Sequence, residues 1–137
     1  MFGAPRNPIS AYAKVDMETS ITEASPHKLV LLLFDGAIQA CATARIHMEN
    51  KEIAEKGMAV SKAINIITNG LKASLDMESG GELAERLAAL YDYMVQRLLF
   101  ANLKNQPAAL TEVSNLLLDL RDAWAQIAPE RQQANAA

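Results

Sequence analysis

Few residues in this sequence could hold a metal ion, and the two histidines lie far apart. A di-iron site in a helical bundle needs Glu-x-x-His pairs on two helices, and no Glu here has a His three residues later. His27 and His47 fall near opposite ends of one predicted helix, about 30 Å apart by helical rise. We interpret both as surface or capping residues. The sequence therefore predicts no metal site and no cofactor.

Paired carboxylates and a lone thiol are the other candidates for catalysis. Carboxylates three residues apart are common on the solvated faces of helices. Two such pairs occur, Glu82 with Glu85 and Asp119 with Asp122. Cys41 lies between alanines and is interpreted as a small core residue. Since no Ser/His/Asp set, Cys/His set or glycine-rich phosphate loop is present, we predict that the protein is not an enzyme.

The charge of the chain is modest and dispersed. Its 137 residues include 13 Lys and Arg and 16 Asp and Glu, for a net charge of -3. The absence of a basic stripe argues against nucleic acid and anionic membranes as partners. The longest apolar run, residues 29–34, is too short to span a bilayer, and residues 1–25 lack the pattern of a signal peptide. These features, with a single cysteine, predict one domain in a reducing, cytosolic compartment.

Four amphipathic segments must position any functional residue. Apolar residues recur at spacings of three and four, which predicts four helices. The predicted ranges are 26–49, 52–77, 82–104 and 107–128. Ser25-Pro26 starts the first helix, Ser79-Gly80-Gly81 separates the second from the third, and Pro129 stops the fourth. Their short connections favour an all-α fold, an antiparallel up-and-down four-helix bundle over residues 26–128.

The third predicted helix has more apolar surface than a bundle needs. A bundle helix buries about three of every seven positions, whereas 15 of the 22 residues from Glu82 to Leu103 are apolar. The predicted core stripe is Leu83, Leu87, Leu90, Met94, Leu98 and Ala101. Tyr93, Phe100 and Leu103 form a second face, which indicates a partner.

A row of mostly small residues runs along the second predicted helix. Its members are Ala59, Ala63, Ile66, Gly70 and Ala73. They could form a shallow groove for a foreign amphipathic helix, or they could only allow close packing inside the bundle. We take this row together with Tyr93 and Phe100 as the candidate binding groove.

Residues 1–25 are predicted to form an N-terminal arm, and residues 129–137 a flexible tail. The first predicted helix leaves Leu31 and Leu32 outside its core face. A short helix near residues 9–17 would pack on the bundle and cover both leucines. Its apolar residues are Ile9, Tyr12 and Val15. A ligand that displaces the arm is the alternative cover.

Several stretches together resemble the FliS family of bacterial flagellar export chaperones. They occur in the family's order over about residues 9–128. They are Ser25-Pro26-His27-Lys28-Leu29-Val30, Phe34-Asp35-Gly36-Ala37, Lys62-Ala63-Ile64-x-Ile66-Ile67, Leu75-Asp76-x-Glu78-x-Gly80-Gly81-Glu82-Leu83, Leu90-Tyr91-x-Tyr93-Met94, Arg97-Leu98, Ala101-Asn102, Glu112-Val113 and Leu120-Arg121-x-Ala123-Trp124.

This resemblance implies a cytoplasmic chaperone for flagellin, the subunit of the flagellar filament. Such a protein binds the disordered C-terminal segment of flagellin, prevents premature polymerisation and delivers the subunit to the type III export gate. It also implies that an arm bearing Tyr12 covers part of the site when flagellin is absent. Two alternatives are a homodimeric bundle without flagellin binding, and a ferritin-like enzyme or metal carrier, which the missing Glu-x-x-His pairs oppose.

The arm can be tested by deleting residues 1–17. We expect greater binding of a hydrophobic dye, because Leu31 and Leu32 lose their cover, with helix content by circular dichroism nearly unchanged. Unchanged dye fluorescence would mean that another segment covers the two leucines.

Overall fold

The computed structural model describes residues 25–127, and all regular structure in this range is helical. Helix α1 spans Pro26–Glu49. Helix α2 spans Ile53–Asn65 and continues through a π-helical turn at Ile66–Leu71 and a 3-10 turn at Lys72–Ser74. Helix α3 spans Met77–Lys104, and α4 spans Pro107–Ala125. The predicted all-α fold is confirmed. The predicted arm and tail lie outside the described residues.

Helix α1 begins where the sequence predicts. The Ser25 side chain accepts a hydrogen bond of 3.1 Å from the Lys28 backbone N–H, and Pro26 occupies the first helical position, where no donor is needed. The helix packs mainly against α2 on one side and α4 on the other. It is therefore the central helix of the bundle.

Helix α2 ends earlier than predicted, and α3 begins earlier. The Asp76 carboxylate accepts hydrogen bonds from the backbone N–H groups of Glu78 and Ser79, at 3.2 and 3.0 Å, so this residue caps α3. These bonds, led by that from Ser79, lower the pKa of Asp76. The predicted glycine break lies inside α3, where Gly81 has a φ of 55°. Because the cap lies five residues upstream of the break, one short helical turn precedes the main body of α3.

Buried polar contacts fix the ends of the helices. The His27 Nε2 lies 2.8 Å from the Trp124 carbonyl oxygen and donates to it, while Trp124 Nε1 donates to the His27 carbonyl oxygen at 2.9 Å. The two rings are stacked, with centroids 5.3 Å apart. The surface role predicted for His27 is thus wrong, because its ring is buried against Trp124, whereas the capping role fits its bond to a carbonyl oxygen in the last turn of α4. This pair joins the start of α1 to the end of α4.

A buried lysine makes the corresponding contact between α2 and α3. Lys56 Nζ donates to the Asn102 carbonyl oxygen at 3.0 Å and to Asn105 Oδ1 at 2.6 Å. A cation at this position satisfies carbonyl groups that have no helical partner and faces the negative end of the helix dipole. The start of α2 is therefore held to the end of α3, as expected for antiparallel neighbours.

The core brings α1 and α2 close together through small residues. Residues from all four helices form one apolar cluster, which includes Leu33, Ala37, Ala63, Met94, Leu98 and Leu117. A methyl group built on Gly70 would lie 3.1 Å from Leu33 Cδ2. Burial raises the pKa of Cys41 and of Tyr91 to about 12 each. The Cys41 thiol therefore stays protonated and unreactive at neutral pH.

Of the helices in residues 25–127, α1 is long and apolar enough to cross a membrane, judged by length and composition alone. This was not evident from the run at residues 29–34, because alanines extend the apolar stretch. Six of its apolar residues belong to the core cluster: Leu33, Phe34, Ala37, Ala40, Cys41 and Ala44. The position of α1 between α2 and α4 explains its apolar composition.

The close approach of α1 and α2 predicts opposite effects for two glycine substitutions. Gly70→Ala should lower the free energy of unfolding by about 1 kcal/mol, because the methyl group crowds Leu33 in a packed core. Gly57→Ala is the matched control in α2, where a methyl group meets nothing within 4 Å. It should raise stability by roughly 0.5–1 kcal/mol. Urea unfolding followed by circular dichroism measures both, and equal stabilisation would show that the interface has spare room.

Candidate functional site

The outer side of α3 exposes a continuous group of large apolar residues. We call Tyr93, Leu99, Phe100 and Leu103 the α3 face, whose members are 44%, 48%, 40% and 77% exposed. Phe100 lies seven residues after Tyr93, and Leu103 lies three after Phe100 and four after Leu99, so their side chains neighbour one another on the helix. Large apolar groups clustered on a surface mark an interaction site.

The predicted core stripe of α3 is only partly right. Met94, Leu98 and Ala101 are buried, Leu87 and Leu90 are half-buried, and Leu83 is 67% exposed. Ala84 and Tyr91 occupy the core instead. The buried positions 84, 91 and 98 are spaced seven residues apart. The predicted stripe began at Leu83 instead of Ala84, one residue too early and close to the break at Gly81. The exposed second face, with Tyr93, Phe100 and Leu103, is where the sequence predicts it.

A polar cluster fixes the edge of the α3 face nearest α4. Tyr93 Oη donates to Glu112 Oε2, and Arg97 Nε donates to Glu112 Oε1 at 2.8 Å. The Arg97 guanidinium carbon lies 4.8 Å from the Phe100 ring centroid, within cation–π range. The hydrogen bond to Glu112 raises the pKa of Tyr93, and the hydrogen bonds from Tyr93 and Arg97 lower the pKa of Glu112. Two aromatic rings are thereby held in place on an exposed surface.

An open groove lies along α2 beside the other edge of this face. Its volume is about 820 Å³, and it is lined by Ala54, Gly57, Met58, Ser61, Lys62, Asn65 and Asn102. Met58 is exposed, and Asn102 directly precedes Leu103 of the α3 face. The groove therefore meets the α3 face at Asn102, a polar residue, which gives an elongated segment room to lie across both helices.

The seven predicted groove residues fall into two sets. Ala59, Ala63, Ile66 and Gly70 are buried inside the bundle, where they let α1 and α2 approach. Their burial fits the alternative interpretation of the small-residue row, that small side chains allow close packing inside the bundle. Ala73, Tyr93 and Phe100 are exposed. Contact of the seven with a client stays a prediction.

The predicted arm residues cannot be placed in the same way. Ile9, Tyr12 and Val15 lie outside the described residues, and Leu31 and Leu32 of α1 are half-buried. The role of the arm as a cover for these leucines therefore stays a prediction.

Several site residues were not predicted from the sequence. Leu99 and Met58 could have been found from the helical wheels, since both fall outside the buried stripes of their helices. Arg97 and Glu112 stand in stretches that carry the family resemblance, but their contact was not predicted, because it depends on how α3 and α4 pack. Among residues 25–127, no group of three or more His, Cys, Asp or Glu is placed to hold a metal ion.

Comparisons with known proteins agree on one family. The profile of a family described as flagellar protein FliS matches residues 8–131. The chain is 53% identical over 122 residues to the flagellar secretion chaperone FliS of Salmonella typhimurium, covering 89% of this chain and 90% of the relative. The identity is 48% over 114 residues to FliS of Escherichia coli, covering 83% and 84%. It is 35% over 123 residues to FliS of Bacillus subtilis, covering 90% and 87%.

The polar cluster predicts a pH dependence that a titration can measure. In a Tyr12→Phe/Tyr91→Phe background, Tyr93 should ionise above the usual value of about 10, because its hydroxyl donates to Glu112. Since the folded-state pKa is raised, this contact stabilises the fold at neutral pH and is lost as pH rises through that pKa. Glu112→Ala should return the ultraviolet titration midpoint towards 10. An unchanged midpoint would mean that the hydrogen bond does not form in solution.

Proposed function

The chain belongs to the FliS family, and from this premise we propose that it is the export chaperone of flagellin and binds the disordered C-terminal segment of that subunit. The observation that carries the proposal is the exposed α3 face. The relatives compared above are named flagellar secretion chaperones, and such a protein needs a surface for an unassembled client. The α3 face supplies apolar area that the core of the bundle does not use.

The size of the α3 face suits a client that folds on binding. Fully burying one large apolar side chain contributes roughly 1.5–3 kcal/mol. Four partly exposed side chains can therefore offset an ordering cost of about 2–5 kcal/mol for a disordered segment. Binding of this kind is firm but reversible, which a carrier that releases its client requires.

The shape of the surface favours a helical client segment. An amphipathic helix docks through anchors spaced three, four and seven residues apart, and the α3 face has the same periodicity. Tyr93 and Phe100 are rigid aromatic anchors because Arg97 and Glu112 hold them. Met58, which lines the adjacent groove, can adapt its shape to different side chains.

Covering the client explains the remaining steps of the proposed function. A segment bound to the α3 face cannot use its own apolar side to join another flagellin, so premature polymerisation is prevented. The chaperone holds the subunit in the bacterial cytosol and delivers it to the type III export gate. No step needs a cofactor, a nucleic acid or insertion into a membrane.

Calorimetric titration with the C-terminal segment of the flagellin from the same organism tests the proposal. We expect saturating one-to-one binding with a negative heat-capacity change, because apolar surface is buried. No heat at several temperatures, with a folded and monomeric chain, would overturn flagellin binding. A stable homodimer that hides the α3 face would instead favour the homodimer as the function of this surface.

A matched pair of variants tests where the client binds. Phe100→Ala should weaken binding by about tenfold or more, as expected for a buried aromatic anchor. Leu118→Ala, on α4, removes an apolar side chain that is also 40% exposed and should leave the affinity within about twofold. Both variants should keep the helix content of the parent chain. Equal losses would show that the α3 face has no special role.

A further inference from the structure

Arg97 is a charged side chain held at the edge of the α3 face nearest α4. It lies four residues after Tyr93 and three before Phe100, and its side chain is about one-third exposed. Its position is fixed twice, by the 2.8 Å bond from Nε to Glu112 Oε1 and by the Phe100 ring below the guanidinium. A fixed arginine beside aromatic rings is typical of the residues that contribute most to binding at protein interfaces.

The hydrogen-bonding capacity of Arg97 is only partly used. A guanidinium has five N–H donors, and the contact with Glu112 takes the one on Nε. The second oxygen of Glu112 is taken by the Tyr93 hydroxyl. Within residues 25–127, no acceptor lies within hydrogen-bond distance of the two η nitrogens.

Docking of an apolar segment on the α3 face would exclude solvent from these donors. Buried donors without an acceptor are costly, so the bound segment must offer oxygen atoms next to its apolar side chains. A carboxylate on the segment would also face Glu112, which already balances the charge of Arg97. Neutral oxygens suit this position better. The last turn of a helix has carbonyl oxygens without helical partners and carries the negative end of the helix dipole.

We infer that Arg97 is a specificity-determining residue that donates from its η nitrogens to the free main-chain carbonyl oxygens at the C-terminal end of a client helix. The inference rests on the proposed function, because it names what this surface recognises in the client. It fixes the polarity of the bound helix, whose C-terminal turn lies over Arg97 while its apolar side chains contact Leu99, Phe100 and Leu103. Such recognition depends on where the client helix ends and little on its side-chain charges.

The test titrates the full chain with the C-terminal segment of flagellin, comparing the parent with Arg97→Met, which keeps an unbranched stem without donors. We expect binding to weaken by about tenfold, as for loss of charge-assisted hydrogen bonds, and Arg97→Lys to fall between the two. Arg86→Met is the control on the same helix, since Arg86 pairs with Glu82 and is largely exposed. Its affinity should match that of the parent.

Two further measurements separate the inference from its alternatives. The double variant Arg97→Met/Glu112→Gln should lose the same factor as Arg97→Met, which shows that the loss comes from the donors and not from an unpaired Glu112. The ratio of the two dissociation constants, Arg97→Met over parent, should fall only slightly as salt is raised, because carbonyl oxygens at a helix end carry partial charges. A ratio that falls towards one with salt would indicate a carboxylate on the client and overturn the inference.

Failure of the inference and failure of the proposed function would give different results. If the parent chain binds the segment and Arg97→Met binds it equally tightly, the role of Arg97 is overturned and the proposed function stands. A parent chain that does not bind overturns the proposed function and the inference with it. Circular dichroism shows whether each variant is folded. If Arg97→Met is not folded, the affinity of Arg97→Lys is used in its place.

Discussion

The close packing of α1 against its two neighbours is the constraint on which the rest of this structure depends. Ala37, Ala40 and Ala44 of α1 are buried, and a methyl group on Gly70 of α2 would crowd Leu33 at 3.1 Å. Small side chains at these positions let the helix axes come close, so that larger residues fill the space around them. This arrangement makes α1 the centre of the bundle and places its apolar composition inside the fold.

The position of α3 follows from that arrangement. Because α1 contacts mainly α2 and α4, α3 is held by those same two helices and packs on each of them less extensively than α1 does. One narrow side of α3 is enough to complete the core, as Tyr91, Met94 and Leu98 do. Its remaining apolar residues face outwards, and the contacts of Arg97 and Glu112 keep this surface ordered. The proposed binding surface is thus a consequence of how unevenly the four helices share the core.

Local sequence signals were sufficient for much of the fold. The Ser25-Pro26 start of α1 and the surplus apolar face of α3 were both predictable, because a cap and a helical period depend on nearby residues. The burial of Ala84 and Tyr91, with Leu83 exposed, was not, since it depends on how α3 packs against the other helices. Likewise, the role of Ala63 was left open by the sequence, because a row of small residues looks the same whether a partner or a neighbouring helix covers it. Contacts between distant residues, such as Arg97 with Glu112, had no sequence signal.

The stacked pair of His27 and Trp124 joins residues 97 positions apart in the chain. Contacts of such long separation form late, because the chain between them must be ordered first. During synthesis the bundle cannot close until α4 has left the ribosome, so the growing chain passes through a stage in which α1 has a neighbour on only one side. We expect this nascent stage to be the most aggregation-prone of the protein's life. A chaperone built in this way completes its own fold only after its last helix has been made.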